Sequence, residues 1–406
     1  MVLLGVLRTG TWLTRERARL VALAVLAASV LGLAWLAVTS DGLNDAMGRP
    51  LGTDFSNVYA AGTWVHDGDP AAPFDPVRQF EREKTIFGAE TQFYGWHYPP
   101  FFLGPAALLA TMPYWLALLV WQSATLALYL WAMRGIAGRA DPLWLLIALA
   151  YPAVFINIGH GHNGFLSAAL MAGALLQLDR RPLVAGLLFG LLAYKPQFGL
   201  LIPLVLAAGG YWRAFLAAAA TVVLMVAAAT LAFGIEIWSA FLASGAFTRD
   251  VVLEQGGTGW HKIQSAFAWA RMWGGGVSLA YAAQGIVSVA VAAALIRLWR
   301  ADIAFALKAA ALPIGTLLAT PYSLDYDLML LAPAIAFLAA DAVARGFAPW
   351  QKTLLAALWL MPLVARSLAE ATLIPLGVPL MLLGFVYVVR QATRASRHPI
   401  PALTVR

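Results

Sequence analysis

Residues 40–102 read SDGLNDAMGRPLGTDFSNVYAAGTWVHDGDPAAPFDPVRQFEREKTIFGAETQFYGWHYPPFF and form the one long polar interval before a chain that is otherwise mostly apolar. The interval contains a short run with a helical apolar pattern at 53–59, a Gly/Asp/Pro-rich turn region, and an aromatic run at 94–102. Because the sequence around it is apolar, we interpret it as a long loop presented by a membrane scaffold. If the protein carries out chemistry, we expect that chemistry to start at Asp54.

Composition indicates an integral membrane protein. Hydrophobic residues make up 61% of the chain and charged residues only 12%, and the mean hydropathy is +0.76. A soluble domain has about twice that fraction of charged residues, so the composition matches only that of an integral membrane protein. Cysteine is absent, which excludes disulfides, thiolate nucleophiles and Cys-ligated metals. We attribute the net charge of +7 to basic residues at cytoplasmic helix ends, and not to nucleic-acid binding.

The apolar runs predict an all-α, polytopic bundle of about 12 transmembrane helices in a single domain, residues 1–406. Several runs are shorter than the ~20 residues that a spanning helix needs, and the fifth and sixth could be one broken helix. The proline-rich segment 99–112 is predicted to dip into the outer leaflet as a half-helix. The runs lie at 20–38, 114–133, 142–157, 163–178, 183–194, 196–208, 213–233, 277–297, 303–320, 324–340, 350–365 and 372–390.

The distribution of basic residues predicts the orientation of these helices. With a cytoplasmic N-terminus, about two thirds of the 27 basic residues fall at the inner ends of helices, as the positive-inside rule requires. Both termini are then cytoplasmic, and the two long loops, 40–113 and 234–276, face outward. All histidines except His398 also fall on the outer side. The sequence therefore predicts that the working face of the protein is external.

Asp54 is the candidate catalytic residue. A carboxylate in an external loop can act as a general base toward a hydroxyl acceptor. The structural alternative is that Asp54 caps the N-terminus of a helix, since apolar residues at a helical spacing follow it. The two interpretations are compatible.

Charged residues at the apparent helix breaks are candidates for binding substrate. Lys195 lies between two apolar runs, where an uncompensated ammonium costs at least ~2.5–3.5 kcal/mol. It is therefore expected to face a water-filled cavity or an anion such as phosphate, unless it reaches the interface by snorkelling. Asp325 and Asp327 lie near the start of a span, so at least one should line a cavity; helix capping is the alternative for Asp325.

The external histidines suggest polar contacts to substrate. His162 and Asn163 lie in a short turn whose His-x-His spacing is too weak a pattern to predict a metal site, so hydrogen bonds to substrate are favoured. His97 lies among aromatic residues that suit either sugar stacking or an interfacial belt. In the second external loop, glycines are typical of a flexible lid, and Lys262 and Arg271 are further candidates for contacting phosphate.

Together these segments resemble the GT-C superfamily of membrane glycosyltransferases, and in particular glycosyltransferase family 87, whose members include mycobacterial mannosyltransferases. The resembling segments occur in the expected order over most of residues 20–340. They are DFSNVYAA at 54–61, Gly68, FDP at 74–76, YPPF at 98–101, GHNGF at 161–165, KPQ at 195–197, TPYS at 320–323 and DYD at 325–327.

The resemblance implies inverting transfer of a sugar, with mannose favoured, from a polyprenyl-phosphate donor to a hydroxyl of a lipid or glycan acceptor on the outer face. Asp54 matches the position of the general base, and no metal or other cofactor is expected. Family relatives tend to carry histidine in the segment matching 320–327, and this chain has none there. Candidates to stabilise the leaving phosphate are Lys195, His261, Lys262 and Arg271. The other substrate-binding candidates are Tyr59, His97, His162, Asn163, Gln197, Asp325 and Asp327.

Two other classes of protein remain open from the sequence. A transporter or lipid flippase would also place Lys and Asp at mid-membrane breaks, although here the polar groups concentrate in external loops. A membrane ligase or acyltransferase could use His97 or His261 as its base.

Overall fold

The structure, a computed structural model, describes residues 2–138 and 141–397. Within these ranges the chain forms α-helices and short 3-10 and π segments, with isolated β-bridges but no β-strand. The predicted all-α class is confirmed. His398 and the rest of the C-terminal segment, predicted to be cytoplasmic, lie outside the described residues.

The α-helices follow one another along the whole described chain. In order they are α1 (Val2–Thr9), α2 (Arg15–Val38), α3 (Thr53–His66), α4 (Pro76–Phe87), α5 (Leu103–Ala110), α6 (Tyr114–Ala137), α7 (Pro142–Leu149), α8 (Pro152–His160), α9 (Gly164–Gln177), α10 (Pro182–Leu191), α11 (Pro196–Gly199), α12 (Ile202–Ala208), α13 (Trp212–Phe233), α14 (Glu236–Phe247), α15 (Ala266–Met272), α16 (Val277–Arg300), α17 (Phe305–Ala319), α18 (Leu331–Arg345), α19 (Gln351–Thr372) and α20 (Gly377–Arg397).

Six helices of the described chain are long and apolar enough to cross a membrane. They are α2, α6, α13, α16, α18 with the 3-10 turn Asp325–Leu330 before it, and α19. The α7–α8 pair, bent by 48°, would make a seventh. A helix forms at each predicted run, but the predicted count of about 12 spans is not confirmed, because several of these helices are shorter than the ~20 residues needed to cross.

Small residues allow the central helices to pack closely. A Cβ added at Gly186 would lie 2.4 Å from the carbonyl oxygen of Ala214, and one at Gly190 would lie 2.5 Å from Thr221 Cβ. The four-residue spacing puts both glycines on one face of α10, so α10 and α13 approach with little more than backbone between them. Such small-residue contacts are typical of helix association in membranes, where apolar burial gives little driving force.

The most buried span sits at the centre of the bundle and carries two acidic residues at its start. In the span from Asp325 to Arg345, 72% of the apolar window is buried, against 6% for α2 at the periphery. Asp325 and Asp327 lie in the 3-10 turn before α18, and both are buried. The fold thus places these carboxylates in the interior, as expected for at least one of them.

The first long loop is folded. A close contact between the backbones at Gly52 and Gly161 holds the start of α3, which carries Asp54, against the bundle. Gly52 is the residue before α3 and adopts a left-handed conformation (φ 69°), as does Gly161 (φ 62°). A Cβ at Gly161 would lie 2.6 Å from Phe55 Cβ and 3.1 Å from Gly52 Cα. Only glycine fits such an approach. The interpretation of Asp54 as the N-cap is wrong, because Gly52 holds that position and Asp54 lies in the first turn.

The second long loop is tied to the turn at 320–327. It contains α14, a π-helical segment (Thr248–Glu254) and α15. Ile263 forms an isolated antiparallel bridge with Leu324, and Gln264 N donates to Ser323 O at 2.7 Å. These contacts hold the loop beside the buried acidic turn.

Candidate active site

A cavity of about 620 Å³ lies where the two long loops meet the helix bundle. We call it the Asp54 cavity. It is lined by the start of α3, residues 92–98, the end of α8, the break at Lys195, residues 257–262, residues 322–327 and the middle of α19. The predicted site residues that line it are Asp54, His97, His162, Lys195, Gln197, Lys262, Asp325 and Asp327.

The other predicted site residues do not line this cavity. Tyr59 donates from its hydroxyl to Met112 O at 2.9 Å, and Asn163 Nδ2 donates to the hydroxyl of Tyr98 at 2.8 Å. Arg271 donates to the carbonyl oxygens of Gly275 and Glu254 and stacks on Trp260. His261 lies in the 3-10 turn beside Lys262. The contacts of Tyr59, Asn163 and Arg271 support the walls and the second loop.

Asp54 presents an unpartnered carboxyl to the cavity. Its Oδ2 atom is buried and has no hydrogen-bond partner among the described residues. Burial raises the pKa of the Asp54 carboxyl, and the charges of His160 and Lys195 oppose that rise. A carboxylate with a raised pKa binds a proton more readily, which suits a general base.

Two histidines and a tyrosine line the cavity beside Asp54. His160 Nδ1 lies 2.7 Å from the hydroxyl of Thr53, the residue before Asp54. The ring of Tyr326 stacks on His162 with a centroid distance of 3.5 Å and meets His160 edge-on at 5.7 Å. Tyr326 lies in the quoted segment DYD, and His160 is the first histidine of the His-x-His pattern, but the sequence does not single out either as a site residue.

His97 lines the cavity as a neutral imidazole. Its Nδ1 atom lies 2.8 Å from Thr248 Oγ1, which links the first loop to the second. Burial lowers the pKa of His97 to about 4, so the ring carries no charge at neutral pH. It can therefore offer a hydrogen bond, but it cannot act as the cation for a phosphate.

Lys195 forms a buried ion pair with Asp327. Its Nζ lies 2.6 Å from Asp327 Oδ1, and the two side chains are 6% and 2% exposed. Asp327 Oδ2 also accepts a hydrogen bond from Leu324 N, and Lys195 Nζ lies 3.4 Å from His162 Nε2. Lys195 thus lines the cavity and faces an anion, as predicted. That anion is the carboxylate of a residue 132 positions away in the chain, and contact of Lys195 with phosphate stays a prediction.

Three other cations line the cavity. Arg49 pairs with Asp45 through two hydrogen bonds of 2.9 and 2.7 Å, and Arg366 lies 3.5 Å from Asp325 Oδ2. Lys262 has no ion pair among the described residues; burial, together with the charge of Arg366, lowers the pKa of its ammonium. Arg49 and Arg366 are missed by the sequence reasoning, although both fall on the predicted outer side. Lys262 is therefore the cation most available to an anionic ligand.

One wall of the cavity is apolar. It is formed by Leu36 of α2, Phe155 and Ile156 of α8, and Pro362 and Leu363 of α19. Leu363 is 57% exposed, on a helix that is apolar enough to span a membrane. The lining of the cavity thus combines charged groups with a hydrocarbon-like surface.

Behind Asp54, α4 packs against α3 and buries two polar side chains, Gln79 and Glu83. Gln79 Nε2 donates to Asn57 O at 3.0 Å, and Tyr94 N donates to Glu83 Oε2 at 3.0 Å. Burial raises the pKa of Glu83 to about 9, and the charge of Asp54 adds to the rise. Glu83 is therefore protonated at neutral pH and is buried as an uncharged side chain of α4, which packs against α3.

Comparison with known proteins gives one match. A family model described as Glycosyltransferase family 87 matches residues 96–321, more than half of the chain. No curated protein and no solved structure matches the chain.

We predict strong coupling between Lys195 and Asp327. Lys195→Met alone should lower the free energy of unfolding by about 3–5 kcal/mol, because it leaves a buried carboxylate without its partner. The double variant Lys195→Met/Asp327→Leu should lose markedly less. Denaturant unfolding in detergent measures the double-mutant cycle. The exposed pair Lys84–Glu81 is the control, with an expected coupling of about 0–1 kcal/mol. Additive losses at 195 and 327 would contradict the prediction.

We predict that Glu83 makes stability fall with rising pH. The unfolded chain releases this proton near the ordinary value of 4.5, whereas the folded protein keeps it until about 9. The contribution of Glu83 to stability is therefore greatest below pH 4.5 and is lost as pH rises from there to about 9. Glu83→Gln should remove this slope and raise the unfolding free energy at pH 8 by on the order of 1–3 kcal/mol.

Unfolding temperatures between pH 5 and 9 measure this effect. Glu81→Gln is the matched control, because Glu81 lies on the same helix with an exposed side chain. Parallel pH profiles for wild type and Glu83→Gln would show that Glu83 is not a neutral acid.

Proposed function

Since this chain belongs to glycosyltransferase family 87, we propose that it moves a sugar from a polyprenyl-phosphate donor to a hydroxyl group of a lipid or glycan acceptor. Family membership makes the protein a membrane glycosyltransferase. The donor, the acceptor and the favoured sugar, mannose, are parts of the proposal.

The observation that carries the proposal is the unpartnered carboxyl of Asp54 in a cavity that also holds Lys262. Glycosyl transfer from a lipid phosphate needs a base for the acceptor hydroxyl and positive charge for the leaving phosphate. Asp54 and Lys262 both line the cavity, and each lacks a described ionic partner. The apolar wall formed by Leu36, Phe155, Ile156, Pro362 and Leu363 suits the first prenyl units of a lipid donor.

In the proposed reaction, Asp54 accepts the proton of the acceptor hydroxyl as its oxygen attacks the anomeric carbon. The bond between that carbon and the phosphate oxygen breaks, and its electron pair leaves with the polyprenyl phosphate. Lys262 and Arg366 stabilise the negative charge that develops on the phosphate. Because attack comes from the face opposite the leaving group, the anomeric configuration inverts.

Asp54→Asn should lower the rate of transfer by about 10²–10⁴-fold, because an amide cannot accept the proton. The purified full-length protein is incubated with radiolabelled polyprenyl-phosphate mannose and, in parallel, other polyprenyl-phosphate sugars, together with acceptor lipids. Asp69→Asn is the control, since Asp69 pairs with Arg78 at the surface and does not line the cavity.

Equal transfer by wild type and Asp54→Asn would remove Asp54 as the base and leave His97 as the candidate. If no donor supports transfer and vesicles show substrate-dependent flux, the protein acts as a transporter.

We also propose that the cavity faces the exterior of a bacterial inner membrane, with a cytoplasmic N-terminus. The excess of basic residues at the opposite helix ends supports this orientation. An alkaline phosphatase fusion at residue 90, in the first long loop, should be active, whereas a fusion at residue 180, between α9 and α10, should be inactive. The reverse pattern would refute the orientation.

A further inference from the structure

A second cavity, of about 420 Å³, lies near the other end of α2 from the Asp54 cavity. Ala18 and Ala22 of α2 line the second cavity, whereas Leu36 lines the first. Fourteen residues of helix separate Ala22 from Leu36, a distance of about 21 Å. The second cavity therefore lies at the level of the opposite membrane leaflet and takes no part in the proposed reaction.

The interior of the second cavity offers hydrocarbon surface. Its walls come from α2, α6, α7, α18 and α19, and two of its aromatic residues, Tyr129 and Trp359, use their polar atoms within the protein. The hydroxyl of Tyr129 donates to Ala148 O, and Trp359 Nε1 donates to Ile147 O. The apolar lining residues Val21, Val343, Phe347 and Leu360 are exposed. On a membrane protein such exposed residues face lipid, so the cavity is open to acyl chains.

Basic side chains stand at one end of this apolar interior. Arg15 lies 2.6 Å from Asp141 but keeps a side chain that is 73% exposed. Lys352 Nζ donates to Leu13 O at 3.1 Å, which uses one of its three protons. Both cations line the cavity, against the single carboxylate of Asp141. The lining is thus net positive, and both cations keep donors available for an anionic group.

We propose that the second cavity binds an anionic phospholipid, with an acyl chain among the apolar residues and the phosphate group against Arg15 and Lys352. The apolar walls suit an acyl chain and the net positive charge suits a phosphate group, so together they favour an anionic phospholipid. A neutral lipid would leave unused the donors that Arg15 and Lys352 keep beyond their contacts with Asp141 and Leu13, and a bare hydrocarbon chain would contact only the apolar walls. Basic residues beside a hydrophobic surface are a general means of recognising anionic lipid head groups. This proposal is independent of the glycosyltransferase reaction.

The test uses full-length protein purified in detergent and supplemented with phosphatidylglycerol or phosphatidylcholine. Phosphatidylglycerol should raise the unfolding temperature by about 5 °C at saturation, and phosphatidylcholine by much less. Native mass spectrometry should show phosphatidylglycerol retained on the protein. Arg15→Gln/Lys352→Gln should abolish the preference between the two lipids. Ala339→Phe, which adds a ring at a lining position, should weaken binding of both.

Arg78→Gln/Lys84→Gln is the matched control, because it removes two basic residues from α4, far along the chain from the second cavity. It should keep the preference for phosphatidylglycerol. Equal stabilisation by the two lipids would overturn the proposal, as would a preference that survives in Arg15→Gln/Lys352→Gln. Stabilisation by a neutral prenol equal to that by phosphatidylglycerol would assign the cavity to a prenyl chain and would also overturn it. Arg15→Gln/Lys352→Gln changes side chains at one end of the second cavity. Its result therefore tests the proposal even if Ala339→Phe fails to fold.

Discussion

The ion pair between Lys195 and Asp327 joins two places where regular α-helix is interrupted inside the bundle. Lys195 stands between a 3-10 turn and α11, and Asp327 lies in the 3-10 turn that precedes α18. Irregular backbone at membrane depth is tolerated only where protein or water surrounds it, and a buried charge is tolerated only with a partner. The two breaks, the pair and the adjoining cavity therefore depend on one another. His162 and Tyr326 complete the enclosure around Lys195.

This pairing separates the roles of the acids that line the Asp54 cavity. Asp45 is held by Arg49, Asp325 by Arg366, and Asp327 by Lys195. Each of these carboxylates has a neighbouring cation as its ion-pair partner. Asp54 alone among the lining acids has no described ion pair, and burial raises its pKa. Asp54 is thus the lining acid whose carboxyl is available to accept a proton. It is also the residue that the sequence predicts as the base.

Local patterns in the sequence predict the helical class and the positions of the apolar helices, and most of the candidate site residues that they single out line the Asp54 cavity. They fail where the deciding partner is remote. The sequence predicts a water-filled cavity or an anion at Lys195, but nothing nearby in the chain identifies Asp327 as that anion. The helix-cap alternative for Asp54 rests on its side chain, which suits that position, but the contact of Gly52 with Gly161 sets the start of α3. The predicted count of about 12 spans is not confirmed, because apolar segments such as α9 and α17 form helices shorter than the ~20 residues needed to cross a membrane, and burial by neighbouring helices leaves no sign in hydropathy.

The apolar wall that includes Leu363 has a consequence for how ligands reach the Asp54 cavity. A ligand with a lipid tail could enter from the bilayer without first dissolving in water. Its encounter with the protein would then be set by diffusion in two dimensions and by its mole fraction among the surrounding lipids. Diluting the protein and ligand together in more lipid would slow such an encounter, whereas diluting the same vesicles with buffer would leave it unchanged. Occupancy of the cavity would thus depend on membrane composition and hardly at all on the volume of the surrounding solution.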